Sequence, residues 1–169
     1  MANSDRLAIL LVLLGAVSRL IHLPPNIAAV TGVTIFAGFA IRNKWIAILV
    51  PIAAMALADI VLGWYSGVLF TYAGMAAGVL FARAFLHPLT PSRLIGVTFL
   101  SSLTFFVLSN LGVWVSGYYG YTFEGLVACY VAAIPFWQNS LIADFSSTAI
   151  VFGIYLAFSR VVPSVAVKA

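Results

Sequence analysis

The sequence predicts an all-α fold: a polytopic membrane helix bundle with six transmembrane helices, a short partial helix before the last, and both termini in the cytoplasm. Three observations carry this. Of 169 residues, 64% are hydrophobic and 7% charged, whereas a soluble domain carries about 25% charged residues. Such a chain cannot cover itself with polar surface, so its solvent is lipid. The apolar runs are long and even, without the two-residue alternation of an outer-membrane barrel, and helices pair every backbone group internally. The basic residues also fall almost wholly to one side once the helices are drawn.

A span needs about 20 apolar residues. The first runs from about Arg6 to Ile21 and is stopped by Pro24 and Pro25, which cannot continue helical hydrogen bonding. Arg6, the apolar stretch and "AVS" at 16–18 loosely resemble a signal peptide, but the topology works best if the segment stays. The second span, Asn26 to Ile41, is short. "RNK" at 42–44 makes a tight polar turn, and the third span runs from Trp45 to about Gly63. "GWYSG" turns the chain into a fourth span, Val68 to Leu86. "HPLTPSR" at 87–93 precedes the fifth, Leu94 to about Val115. After the loop "SGYYGYTFEG", the stretch "GLVACYVAAIP" at 125–135 is too short to cross and reads as a half-helix or interfacial helix. The last span runs from about Gln138 to Val161. The whole chain, 1–169, forms one integral membrane domain.

With the N-terminus in the cytoplasm, Arg6, Arg42, Lys44, Arg83, Arg93, Arg160 and Lys168 all lie inside, seven of the eight basic residues. This is the positive-inside pattern. The net charge of +4 is therefore read as an orientation signal, not as a sign of nucleic acid. Only Arg19 falls outside. Three acids, Asp59, Glu124 and Asp144, fall in that same outer leaflet, with His22, Asn26, Asn110, Gln138 and Asn139.

A charge inside a span costs roughly 2.5–3.5 kcal/mol on insertion scales. Arg19, Asp59 and Asp144 are thus expected to face the bundle interior, with Arg19 paired to one of the acids. That pairing would tie helices together, line an outward ligand pocket, or both. Aromatics also crowd the outer side, Trp64, Tyr72, Trp114, Tyr121, Tyr130 and Trp137 among them. They serve as interfacial anchors or as a wall on which a flat ligand stacks. Asn110 lies inside a span and needs a partner across helices or on a ligand. Asn26, Asn110, Trp114 and Asn139 are expected to converge on one outward cavity. Cys129, Tyr130, Gln138 and Asn139 flank Pro135, where a broken helix would free backbone groups for a substrate.

The single cysteine, Cys129, excludes an intrachain disulfide. No phosphate-binding Gly-rich loop with lysine, no H-E-x-x-H and no Ser/His/Asp arrangement is present. No metal or cofactor is expected. "AGMAAG" at 73–78 places Ala73/Ala77 and Gly74/Gly78 at the spacing that lets membrane helices approach closely.

"PPNIAAVTGVTIFAGFAI", "MALADIVLGWY" and "FFVLSNLGVWVSGYYGYTFEGLVACYVAAIPFWQNSLIADF" resemble an uncharacterised family of small bacterial membrane proteins. That family looks related to the substrate-binding S-components of energy-coupling-factor (ECF) vitamin transporters. The resemblance implies a multi-pass protein of the bacterial inner membrane with a small-molecule site open to the outside. It also implies a partnership with a scaffold membrane subunit and two ATPases. S-components often carry Ala-x-x-x-Ala in the first helix for that docking. Here Ala8 is followed by Val12 and Leu11 by Gly15. The expected function is binding and transport of a small, flat or heterocyclic nutrient, not catalysis. The site would be drawn from Arg19, His22, Asn26, Asp59, Asn110, Trp114, Cys129, Tyr130, Gln138, Asn139 and Asp144. Two other classes stand beside it: an accessory subunit of a larger membrane complex, and a membrane enzyme acting on a lipid through Asp59 and Asp144.

Overall fold

The computed structural model describes residues 30–161 together with Arg6, Ile9, Leu10 and Leu13. Among these residues the chain is all helical, with five helices: α1 (Val30–Ala40), α2 (Lys44–Leu62), α3 (Val68–Phe85), α4 (Pro91–Val115) and α5 (Phe123–Val161). The last four are long and apolar enough to cross a membrane. The first span expected from the sequence lies outside the described residues apart from those four positions. Ile9 packs against the core.

Among the described residues, α1 is the centre of the bundle. Every residue of α1 from Gly32 to Ala40 is buried, and α2, α3, α4 and α5 all pack on it. A helix apolar all round is a buried helix, and two glycines let its neighbours come close. A Cβ at Gly32 would lie 2.6 Å from the backbone of Ser147 on α5, and one at Gly38 would collide with the Val79 carbonyl on α3. The core continues through Phe36, Phe39, Phe152 and Tyr155, whose rings meet edge-on or tilted.

The helix starts follow capping chemistry. Asn43 accepts from the backbone N–H groups of Trp45 and Ile46 at 2.9 and 3.2 Å and so begins α2. Thr90 accepts from Arg93 N–H, with Pro91 at the first helical position. Proline lacks only a donor that would be unsatisfied there, so α4 begins three residues before the Leu94 read from the sequence. Gly67 begins α3 with a positive φ of 93°, against Gly112 of α4.

The expected half-helix at 125–135 and the last span are one continuous helix, α5, of 39 residues with Pro135 inside. Contacts to α4 bracket the proline. The Tyr130 hydroxyl donates to the Val107 carbonyl, and Trp137 Nε1–H donates to Ser102. Proline removes one ladder bond, and side-chain bonds to α4 on either side hold the helix through it. At ~1.5 Å per residue, α5 is about 58 Å long, well beyond a hydrocarbon core of about 30 Å. Its first part packs on α4, and its second part packs on α1 through Ser147, Phe152 and Tyr155.

Candidate functional site

A polar seam runs between α1, α4 and α5, built around Asp144. The residue is 7% exposed, and its carboxylate has the hydroxyls of Ser102 on α4 and Thr31 on α1 as hydrogen-bond partners. Ser147, one turn later, donates to the Asp144 carbonyl at 3.1 Å. Ser102 accepts from Trp137 Nε1–H at 3.2 Å. Trp137 precedes Asp144 by two turns on the same helix face. Its indole stacks on Phe106 at 4.8 Å and 25°, and Tyr130 meets Phe106 edge-on at 5.8 Å. A carboxylate, two hydroxyls and a stacked aromatic pair are therefore wired into one unit inside the bundle.

Next to it, Cys129 Sγ donates to the Asn110 carbonyl at 3.4 Å. The Asn110 amide turns back on its own helix and donates to the Phe106 carbonyl at 2.8 Å. Cys129 is buried and acts as a packing residue with a weak S–H donor. Trp114 lies one turn beyond Asn110. Its Nε1–H is buried with no hydrogen-bond partner among the described residues, and its ring meets Tyr121 edge-on at 6.2 Å.

Asp59 is a separate node. It is 1% exposed, and Tyr72 of α3 donates to its Oδ2 at 2.8 Å. This joins the end of α2 to the start of α3. Both acids thus face protein, as the cost of exposing them to lipid requires, but they serve different helix pairs.

The expected site residues divide accordingly. Asp144 and Tyr130 belong to the seam, Asn110 and Cys129 adjoin it, and Asp59 stands apart. Gln138 and Asn139 are exposed on α5. Asn139 lies ten residues past Cys129, about 15 Å along the helix at ~1.5 Å per residue. The expected convergence of Asn139 with Asn110 and Trp114 is therefore not what the fold makes. Of the three that are described, Asn110 and Trp114 come together, because they are one turn apart on α4. Arg19, His22 and Asn26, and with them the expected pairing of Arg19 with an acid, lie outside the described residues.

The residues that sequence reasoning passed over are the hydroxyls. Thr31 and Thr34, Ser101 and Ser102, and Ser147 and Thr148 are neutral and individually unremarkable. A signal existed in "DFSST", where Ser147 and Thr148 follow Asp144 at the three- and four-residue spacing of one helix face.

At the opposite end of the bundle, two arginines have structural work. Arg83 donates to the Ile41 and Arg42 carbonyls at 2.8 and 3.0 Å, capping α1. Arg93 donates to the His87 carbonyl at 2.8 Å, just past the end of α3. Cations are favoured at helix C-termini. The exposed His87 stacks its ring on Phe39 at 5.0 Å.

A bundle of apolar helices long enough to cross a bilayer, with carboxylates and hydroxyls turned inward, defines a polytopic helical membrane protein with a polar interior. The chain belongs to a family of unknown function, DUF6580, whose family model matches residues 2–165. No curated protein and no solved structure matches it.

Proposed function

We propose that this protein binds and transports a small, flat or heterocyclic nutrient across the bacterial inner membrane, in the manner of an ECF S-component. In this reading the bundle has six spans, both termini are cytoplasmic and the site opens outward. The observation that carries it is the Trp137–Ser102–Asp144 chain beside Phe106. An intramembrane ionisable residue marks a functional site by default, and an aromatic face next to precisely placed polar groups suits a planar ligand. The site is thereby drawn toward Asp144 and away from the exposed amides.

A second reading, an accessory subunit of a larger complex, is favoured by Gln138 and Asn139. Amides exposed on an otherwise apolar helix gain from a partner helix that bonds them. Native mass spectrometry of the gently extracted protein separates the two. The transport reading expects a retained small molecule, lost in Ser102→Ala and kept in Asn139→Ala. A bare chain that travels with a larger assembly, and leaves it on Asn139→Ala, would replace transport by the subunit role.

A further inference from the structure

Asp144 has hydrogen-bond partners but, among the described residues, no counter-charge. Its side chain is buried, and its carboxyl meets the hydroxyls of Ser102 on α4 and Thr31 on α1. Helix α1 carries no titratable side chain, and α4 carries only Arg93, which donates to the His87 carbonyl at 2.8 Å. On α5 itself the nearest titratable groups are Tyr155 and Tyr130, eleven and fourteen residues away. Tyr155 belongs to the ring cluster with Phe36 and Phe39, and Tyr130 donates to the Val107 carbonyl. A carboxylate held inside a bundle without a cation is costly. A tie between helices does not need that cost, since an asparagine would join the same hydroxyls without any charge.

The two hydroxyls suit both protonation states. A hydroxyl donates one hydrogen bond and accepts up to two. Ser102 accepts from Trp137 Nε1–H at 3.2 Å, which leaves its own proton for the carboxylate. Thr31 donates as well, so the ionised form receives a donor from each of two helices. When Asp144 carries a proton, its O–H turns to the Thr31 oxygen, and the Thr31 hydroxyl rotates to accept it. A lysine or arginine in place of these hydroxyls would hold the carboxylate ionised. The position is also enclosed. One turn past Asp144, Gly32 closes α1 onto the backbone of Ser147 and Thr148. Two turns before it, Trp137 stacks on Phe106. A proton needs no cavity.

We propose that Asp144 is a reversible proton-binding site in the membrane interior. The proton adds to one carboxylate oxygen and leaves from it, with water as source and acceptor. The junction of α1, α4 and α5 thereby alternates between one negative charge and none. Intramembrane carboxyls serve proton relays in pumps and transporters, and in a transporter such a group couples uptake to the proton gradient. The inference shares Asp144 with the transport reading and does not depend on the nutrient.

The test is carbon-13 NMR of the full-length protein, labelled at the aspartate carboxyls, purified in detergent and followed against pH. The chain has three aspartates, Asp5, Asp59 and Asp144, so Asp144→Asn assigns its signal by loss. The Asp144 signal is expected to move between its acid and carboxylate positions within about pH 5–8, the span in which physiological switches work. Thr31→Val removes a bond that is stronger to the ionised form than to the neutral one. It should therefore move the midpoint up by about half to one pH unit. This variant keeps the carboxyl, so it identifies the signal even where Asp144→Asn fails to fold. A signal fixed at the carboxylate position across that span, a signal fixed at the acid position, or a midpoint that Thr31→Val leaves unmoved would overturn the proposal. A nutrient retained in native mass spectrometry beside a fixed Asp144 signal would sink the proton site alone. Titration with no retained molecule would count against the nutrient instead.

Discussion

The contact between α1 and α5 changes its chemistry within two helical turns. Where Phe36 and Phe39 meet Phe152 and Tyr155, it is a dry cluster of rings at 5.3–5.5 Å. Where Thr31 faces Asp144, beside the close approach of Gly32 to Ser147 and Thr148, it is a hydroxyl and a carboxylate. In lipid the ring cluster holds by packing, since the tails outside are as apolar as the rings. The polar stretch gains nothing from that. It is tolerated only because the interior supplies partners that lipid cannot. One helix pair thus carries a region whose purpose is cohesion and a region that cohesion alone does not require.

The strongest way to break both at once is at the glycine between them. Gly32→Val would drive a side chain into the backbone of Ser147 and Thr148, at 2.6–2.8 Å from a Cβ, where no flexible group can yield. Overpacking typically costs about 1–3 kcal/mol, and more against backbone. The variant should lose the monodisperse peak in size-exclusion chromatography; a wild-type profile would show that α1 and α5 are not so close. Phe36→Ala should cost about 3 kcal/mol, the lower end for an aromatic truncation. Its unfolded reference in lipid regains no water, so the loss is packing, read as a lower thermal midpoint with ligand binding kept. If binding fell in parallel with stability, the two regions would not be separable.

Ser102→Ala sharpens the comparison from the polar side. It removes the link between Trp137 and Asp144 and should cost about 1–2 kcal/mol in stability, while abolishing retention of a small molecule. Stability loss with retention intact would make the seam internal glue only. The smallest effect is expected far from both regions. Asn43→Ala removes the α2 cap and should cost about 1 kcal/mol without touching binding. Any change in binding there would mean that the turn between α1 and α2 is coupled to the seam.

Much of the architecture was legible in the sequence, element by element. Composition and run length placed α2, α3 and α4 within three residues of their ends, because an apolar stretch between polar turns has no other stable form in lipid. The proline at 135 misled. In isolation it breaks a helix, and here the Tyr130 and Trp137 bonds to α4 hold α5 through it. The site was half legible. Asp59 and Asp144 stood out because charge in a span is costly, and both turn inward. Their hydroxyl partners did not stand out, since serine and threonine are common in membrane helices and their meaning depends on which helix they face.

The sequence by itself determined that this is a helical membrane protein and that its buried acids must face protein, since hydrocarbon offers neither hydrogen bonds nor counter-charge. Only the tertiary structure decided which helix sits at the centre, which glycines let it in, and which hydroxyls Asp144 meets. Those are matters of register between helices distant in the chain. Register is set by side-chain shape at close contact, which no local stretch of sequence encodes.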